Sequence, residues 1–78
     1  MLEIFRGFGL VFVIFQNDHD PVHVHVFHGA EKCKIFLAGP KVADSPRCTL
    51  SPANLRKALR LTMENRARLI EEWERIHG

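Results

Sequence analysis

The chain has 78 residues, 46% of them hydrophobic, and a formal net charge of +2. That length holds one domain, residues 1–78, with no room for a second core, and so short a chain buries only about 60–65% of its unfolded surface. The small charge does not by itself argue for nucleic acid, and the longest apolar run, Leu10 to Phe15, is far below the roughly 18 residues of a membrane span.

The first half reads as strands and turns. A short strand around Glu3 to Arg6 leads through Gly7 and Gly9 into Leu10-Val11-Phe12-Val13-Ile14-Phe15. That run is β-branched or aromatic on both alternations, as in a central strand covered on both faces. Asn17-Asp18 and Asp20-Pro21 mark the next turn, because Asx side chains bond their own backbone and proline pre-sets φ. Val22 to Phe27 alternates strictly and predicts a third strand. Gly29 ends it, and Lys32 to Leu37 makes a fourth. Ala38 to Cys48, with Gly39, Pro40 and Pro46, reads as a loop carrying an optional fifth edge strand at Lys41 to Ala43.

From Ser51 the period becomes helical. Ser51 suits an N-cap and Pro52 the first helical position. Leu55, Leu59, Thr62, Arg66, Leu69, Trp73 and Ile76 follow in steps of four and three, a single stripe interrupted by polar Thr62 and Arg66. One long helix is expected, or two end to end with a break near Asn65. The fold class is α+β: a small antiparallel sheet of four or five strands with this helix on one face.

Four of the five histidines, His19, His23, His25 and His28, lie within ten residues. Histidine is the commonest metal ligand and the side chain that titrates near neutrality. On the third strand Val22, Val24 and Val26 point one way, toward the helix, and His23, His25 and Phe27 the other. The two imidazoles then stand roughly 7 Å apart, from two steps of ~3.3 Å. Such a pair can share a metal if His19, Asp18 or Asp20 supplies a third ligand, leaving positions open for water. Zinc or another divalent transition metal is the implied cofactor. His28 faces away unless a bulge turns it. Two other readings stay open: a metal-free polar site for phosphate or a partner, and a structural network in which imidazoles bond turn carbonyls and brace the Asp18–Asp20 loop.

Other residues carry less. Cys33 falls among Ile35 and Leu37 as a core thiol. Fourteen residues separate it from Cys48, so the two form neither a C-x-x-C pair nor a disulfide framework. Ser45 and Ser51 are explained by turn and cap. RNA cleavage with His23 and His25 as acid and base, and Lys34 or an arginine steadying phosphate, is chemically conceivable. Arg56, Lys57 and Arg60 make a second, basic surface on the early helix, where Arg56 and Arg60 repel when nothing opposes them. Trp73 reads as core rather than a ligand platform. Phe27, Phe36 and half of the Leu10–Phe15 set remain on the uncovered face, which predicts a homodimer or a small partner protein over it. Met1-Leu2-Glu3 shows no basic leader, so a cytoplasmic protein with reduced thiols is expected.

His23 to His28 is similar to the H-φ-H-φ-H signature of histidine-triad nucleotide hydrolases, but its third histidine comes one residue late and flips to the other face. It is similar also to half of a cupin metal motif, yet the next acid, Glu31, is too distant. A fuller likeness is carried by Asn17-Asp18-His19-Asp20-Pro21-Val22-His23-Val24-His25-Val26. This run resembles the N-D-H-x-P-P-H-F-H-V signature of a small bacterial family catalogued as domain of unknown function number forty-one sixty. The likeness spans nearly the whole chain, from the apolar hairpin to a proline-started helix ending in a tryptophan like Trp73. Val22 replaces the second proline and Val24 the aromatic. The resemblance implies a short gene in a two-gene, toxin–antitoxin-like context. The leading expectation is therefore a protein that acts through a partner, with Asn17, His19, His23, His25, Arg56 and Arg60 as its surface. The alternative is a zinc-type metal domain or small metal-dependent hydrolase built on Asp18, His19, His23 and His25.

Overall fold

The computed structural model describes residues 2–39 and 41–78. Five antiparallel strands form one sheet in chain order: β1 (Leu2–Gly7), β2 (Leu10–Ile14), β3 (His23–His28), β4 (Glu31–Phe36) and β5 (Ala43–Asp44). The optional edge strand exists, two residues later than Lys41–Ala43 and only two residues long. Pro40, part of the expected loop, lies outside the described residues.

Both hairpins turn through residues of positive φ. Phe8 (φ 53°) and Gly9 (φ 77°) both take the left-handed region between β1 and β2, the geometry that matches strand twist in a two-residue turn. Gly29 (φ 58°) does the same at the head of the β3–β4 turn. A bulge at Ile4 shifts the β1–β2 register between Glu3 and Phe5.

Two helices follow, α1 (Pro52–Glu64) and α2 (Arg66–His77). Ser51 Oγ accepts the Asn54 backbone N–H at 3.2 Å, the expected cap. The break falls at Asn65, whose side-chain amide donates to the Leu61 carbonyl at 2.8 Å. Such a local side-chain bond competes with the helical ladder. Arg66 is not merely a polar interruption of the stripe: its guanidinium donates to the Leu37 and Gly39 carbonyls at 2.9 Å each, fastening the start of α2 to the end of β4.

The register sorts the sheet into two faces. Phe12, Val26 and Cys33 stand in one row and Val24 and Ile35 in another. These pack with Ala58, Leu69 and Trp73 into the core, so the valine face meets the helices as the alternation predicts. The opposite face carries the rows Val13–His25–Lys34, Val11–Phe27–Lys32 and His23–Phe36. Val13 is buried there, while Val11, Phe27 and Phe36 are half-buried. No helix among the described residues is long and apolar enough to cross a membrane.

Candidate metal centre

His23 and His25 project together, as two residues of one strand parity must. Their ring centroids lie 5.0 Å apart, closer than the strand spacing alone predicts, with the rings nearly perpendicular. His25 keeps partial access to solvent, whereas His23 is only 4% exposed. The reason for that burial was invisible locally. Trp73 of α2 lies 5.0 Å from the His23 ring, and Phe36, its cross-strand partner, lies 6.1 Å away. Trp73 is thus core, as expected, but also a wall of the histidine site. The last turn of α2 passes the same end of the sheet. There the fifth histidine, His77, lies between the carbonyls of Trp73 (2.9 Å) and Phe15 (3.2 Å).

The third member of the group is Asp18. Its Oδ2 accepts the backbone N–H of Phe15, three residues earlier, at 2.9 Å, a local side-chain bond that closes the turn and aims Oδ1 at the imidazoles. Oδ1 accepts from His25 Nε2 at 3.2 Å and lies 3.5 Å from His23 Nε2. One ligand atom from each of Asp18, His23 and His25 falls within 4.8 Å of the others. Tetrahedral zinc with bonds of ~2.0–2.2 Å separates its ligand atoms by about 3.3–3.5 Å, which the 3.5 Å between Asp18 Oδ1 and His23 Nε2 matches, while the 3.2 Å to His25 is hydrogen-bond length.

Hydrogen bonding assigns the tautomers. His23 Nδ1 donates to the Pro21 carbonyl at 2.8 Å, so the proton of the neutral ring sits on Nδ1 and Nε2 carries a lone pair. That buried Nε2 has no hydrogen-bond partner. A neutral His23 therefore points a lone pair at a carboxylate oxygen, an unfavourable pairing that a cation between them would relieve. His25, by contrast, places its proton on Nε2 to donate to Asp18. The structural-network reading is realised in part, through the bonds to Pro21 and Asp18, but it leaves one atom unaccounted for.

Electrostatics follow from the same contacts. Burial opposes ionisation of Asp18, yet the Phe15 N–H, the His25 hydrogen bond and the two imidazoles outweigh it and hold the carboxyl below its ordinary range. Burial also lowers the pKa of His25, with smaller contributions from His23 and Lys34, and Asp18 offsets this only in part.

The remaining candidates sit as follows. His19, Asp20 and Asn17 line a cavity of about 240 Å³ beside His23, with Asp18, Lys34 and Phe36, but His19 and Asp20 do not join the converging set. His28 stays in register opposite Glu31, without a bulge, and its Nδ1 lies 3.6 Å from the Glu31 carboxylate. Arg56 and Arg60 are exposed on α1, away from this group, and Arg60 faces Glu64 at 3.4 Å, so its charge is opposed. Cys33 is a core thiol, but it meets Cys48, a proximity that spacing along the chain did not signal.

A family model described as Domain of unknown function (DUF4160) matches residues 9–74. That span contains the whole Asn17–Val26 run and Trp73, the helix residue that walls His23. Comparison with curated proteins and with solved structures returns no match.

Proposed function

The chain belongs to the DUF4160 family, a domain of unknown function, and we propose that it works by binding a divalent transition-metal ion at Asp18, His23 and His25. The observation that carries this reading is the buried, unpartnered Nε2 of His23 facing Asp18 Oδ1 at 3.5 Å. Two imidazoles and one carboxylate suit zinc, and also non-haem Fe(II), with positions left for water or substrate oxygen. Three protein ligands and an open position are the pattern of a catalytic rather than a structural centre. The surrounding bonds support it: ligating histidines ordinarily donate their second N–H to a carbonyl, as His23 does to Pro21, and ligating carboxylates are themselves hydrogen-bonded, as Asp18 is by Phe15. A metal held here would act as a Lewis acid and would lower the pKa of a bound water.

Zinc titration by calorimetry on untagged, chelator-treated protein tests the reading. One ion per chain is expected, with affinity reduced about 100-fold or more in Asp18→Asn and His23→Ala. Wild-type protein that takes up neither zinc nor Co(II) overturns it.

A partner role is a second reading, supported by a different feature. β1 is an open edge of the sheet, and Leu2 and Phe8, on and just beyond it, are 40% and 71% exposed. Exposed apolar residues on an unpaired edge suit pairing with a second copy or with a small protein, including the product of an adjacent gene. Light scattering on the isolated chain and on the co-expressed pair tests it; a monodisperse monomer in both preparations removes it.

A further inference from the structure

Beside the Asp18–His23–His25 group the same face of the sheet opens into a second, larger cavity of about 500 Å³. That is within the range of small-molecule sites. His25 forms one wall, and Lys32, Lys34, Arg47, Ser45 and Phe36 are among its other lining residues. No Asp or Glu lines it, and among the described residues none of its three cations makes an ion pair. Three cations around one concavity, in a chain whose net charge is only +2, repel each other unless an anion joins them.

The groove is held in place by backbone. Lys34 stands directly across from His25 and Lys32 across from Phe27, so both lysines share the histidine face. The segment after β5 runs back along β4: Ser45 N–H donates to the Lys34 carbonyl at 2.9 Å and Thr49 N–H to the Lys32 carbonyl at 2.8 Å. Thr49 Oγ1 adds two further bonds to the Lys32 backbone. These anchors keep Ser45 and Arg47 beside the two lysines. Lys34 and Phe36 line this cavity and the smaller one that contains Asp18 and His23, so the two spaces meet at those side chains. Phe36 offers a half-buried aromatic ring at the junction.

We propose that this groove binds a nucleotide phosphate, with Lys32, Lys34 and Arg47 meeting the phosphate oxygens and Phe36 the base. Arginine forks and lysine ammonium groups are the usual partners of phosphate, and an aromatic ring accepts the flat face of any base. Because it names the ligand of the proposed metal centre, the inference rests on that reading. Lys34 places the phosphate next to His25, within reach of an ion held there.

Calorimetric titration of AMP, adenosine and inorganic phosphate, into metal-free and zinc-loaded protein, is the test. AMP is expected to bind at least roughly tenfold more tightly than adenosine, and more tightly than inorganic phosphate. The exposed pair Lys32→Gln/Arg47→Gln is expected to weaken AMP at least roughly tenfold, since both substitutions remove a charge-assisted contact to phosphate. Zinc affinity in the same variant should stay within about threefold of wild type. Equal binding of AMP and adenosine, or unchanged AMP binding in the double variant, overturns the groove. Failure of zinc to bind overturns the metal centre alone, and the titrations on metal-free protein then decide the groove by the same two criteria.

Discussion

His23 Nε2 and Asp18 Oδ1 face each other across 3.5 Å inside the fold, and the second nitrogen of the same ring is already committed to the Pro21 carbonyl. Neither atom can donate to the other while His23 is neutral. A proton or a metal ion between them would relieve the repulsion, and in the proposed metal centre His25 Nε2 would supply the further ligand. Asp18 is placed for this by the turn, not by the strand that carries the histidines.

Trp73 is the single tryptophan of the chain and its ring lies 5.0 Å from that of His23. Addition of Cu(II) or Ni(II) is therefore expected to quench the intrinsic fluorescence by more than half, saturating at one ion per chain. His23→Ala should abolish the saturable quenching. His19→Ala should leave its midpoint within about threefold, because His19 lies outside the converging set; loss of the signal in that variant would replace Asp18 or His25 by His19 as a ligand.

Metal uptake should also change a tautomer. His25 carries its proton on Nε2 to reach Asp18, and coordination through that atom requires the proton to move to Nδ1 or to leave. Long-range proton–nitrogen NMR spectra are expected to show His25 switching from the Nε2–H to the Nδ1–H form when zinc is added. An Nε2–H signal that persists at saturation places His25 outside the coordination shell.

Both His25 and Asp18 titrate below their ordinary values in the folded chain, so the unfolded chain binds more protons in each window and stability rises with pH there. Acidification should begin to erode stability below pH 6.5 through His25, and further below 3.8 through Asp18. Asp18→Asn should flatten the lower limb. It should also depress the His25 midpoint further, because the carboxylate that partly supports the imidazolium is gone. Urea unfolding across pH and the NMR titration of His25 measure the two effects; a His25 midpoint at or above 6.5 contradicts them.

Cys33 should be chemically silent. Burial first, and then its contact with Cys48, push its thiol up to about 12. At pH 8 that leaves on the order of one thiolate in 10⁴, and the thiolate is the reactive form. Iodoacetamide is expected to leave Cys33 unmodified in the folded protein and to modify it after denaturation, as read by peptide mass mapping. Rapid labelling in the native state would show that the β4–loop seam opens.

Arg66→Met keeps most of the apolar stem and removes both guanidinium bonds to Leu37 and Gly39. A loss of about 1–2 kcal/mol is expected, mainly from the half-buried charge-assisted bond to Leu37, because the bond to Gly39 is exposed to solvent. The m-value should not change. A loss below about 0.5 kcal/mol would mean that α2 is seated by its Leu69 and Trp73 contacts alone.

Local chemistry was enough for much of this protein. Period-two alternation put Val24 and Val26 inward and His23 and His25 together on the other side. Gly9 and Gly29 marked hairpin turns, Ser51-Pro52 opened the first helix, and Asn65 marked its break. Each of these depends on neighbours a few residues away, so a linear reading reaches them. The third member of the histidine group was not accessible in that way. Asp18, His19 and Asp20 were equivalent candidates until the Phe15 N–H oriented one carboxylate, because a turn has no fixed period. Trp73 against His23, Arg66 on the end of β4, Cys33 beside Cys48 and Arg47 across from the lysines all join residues far apart in the chain. Their meeting depends on how the helices and the 45–49 segment close over the sheet, a matter of packed volume that no spacing along the chain encodes.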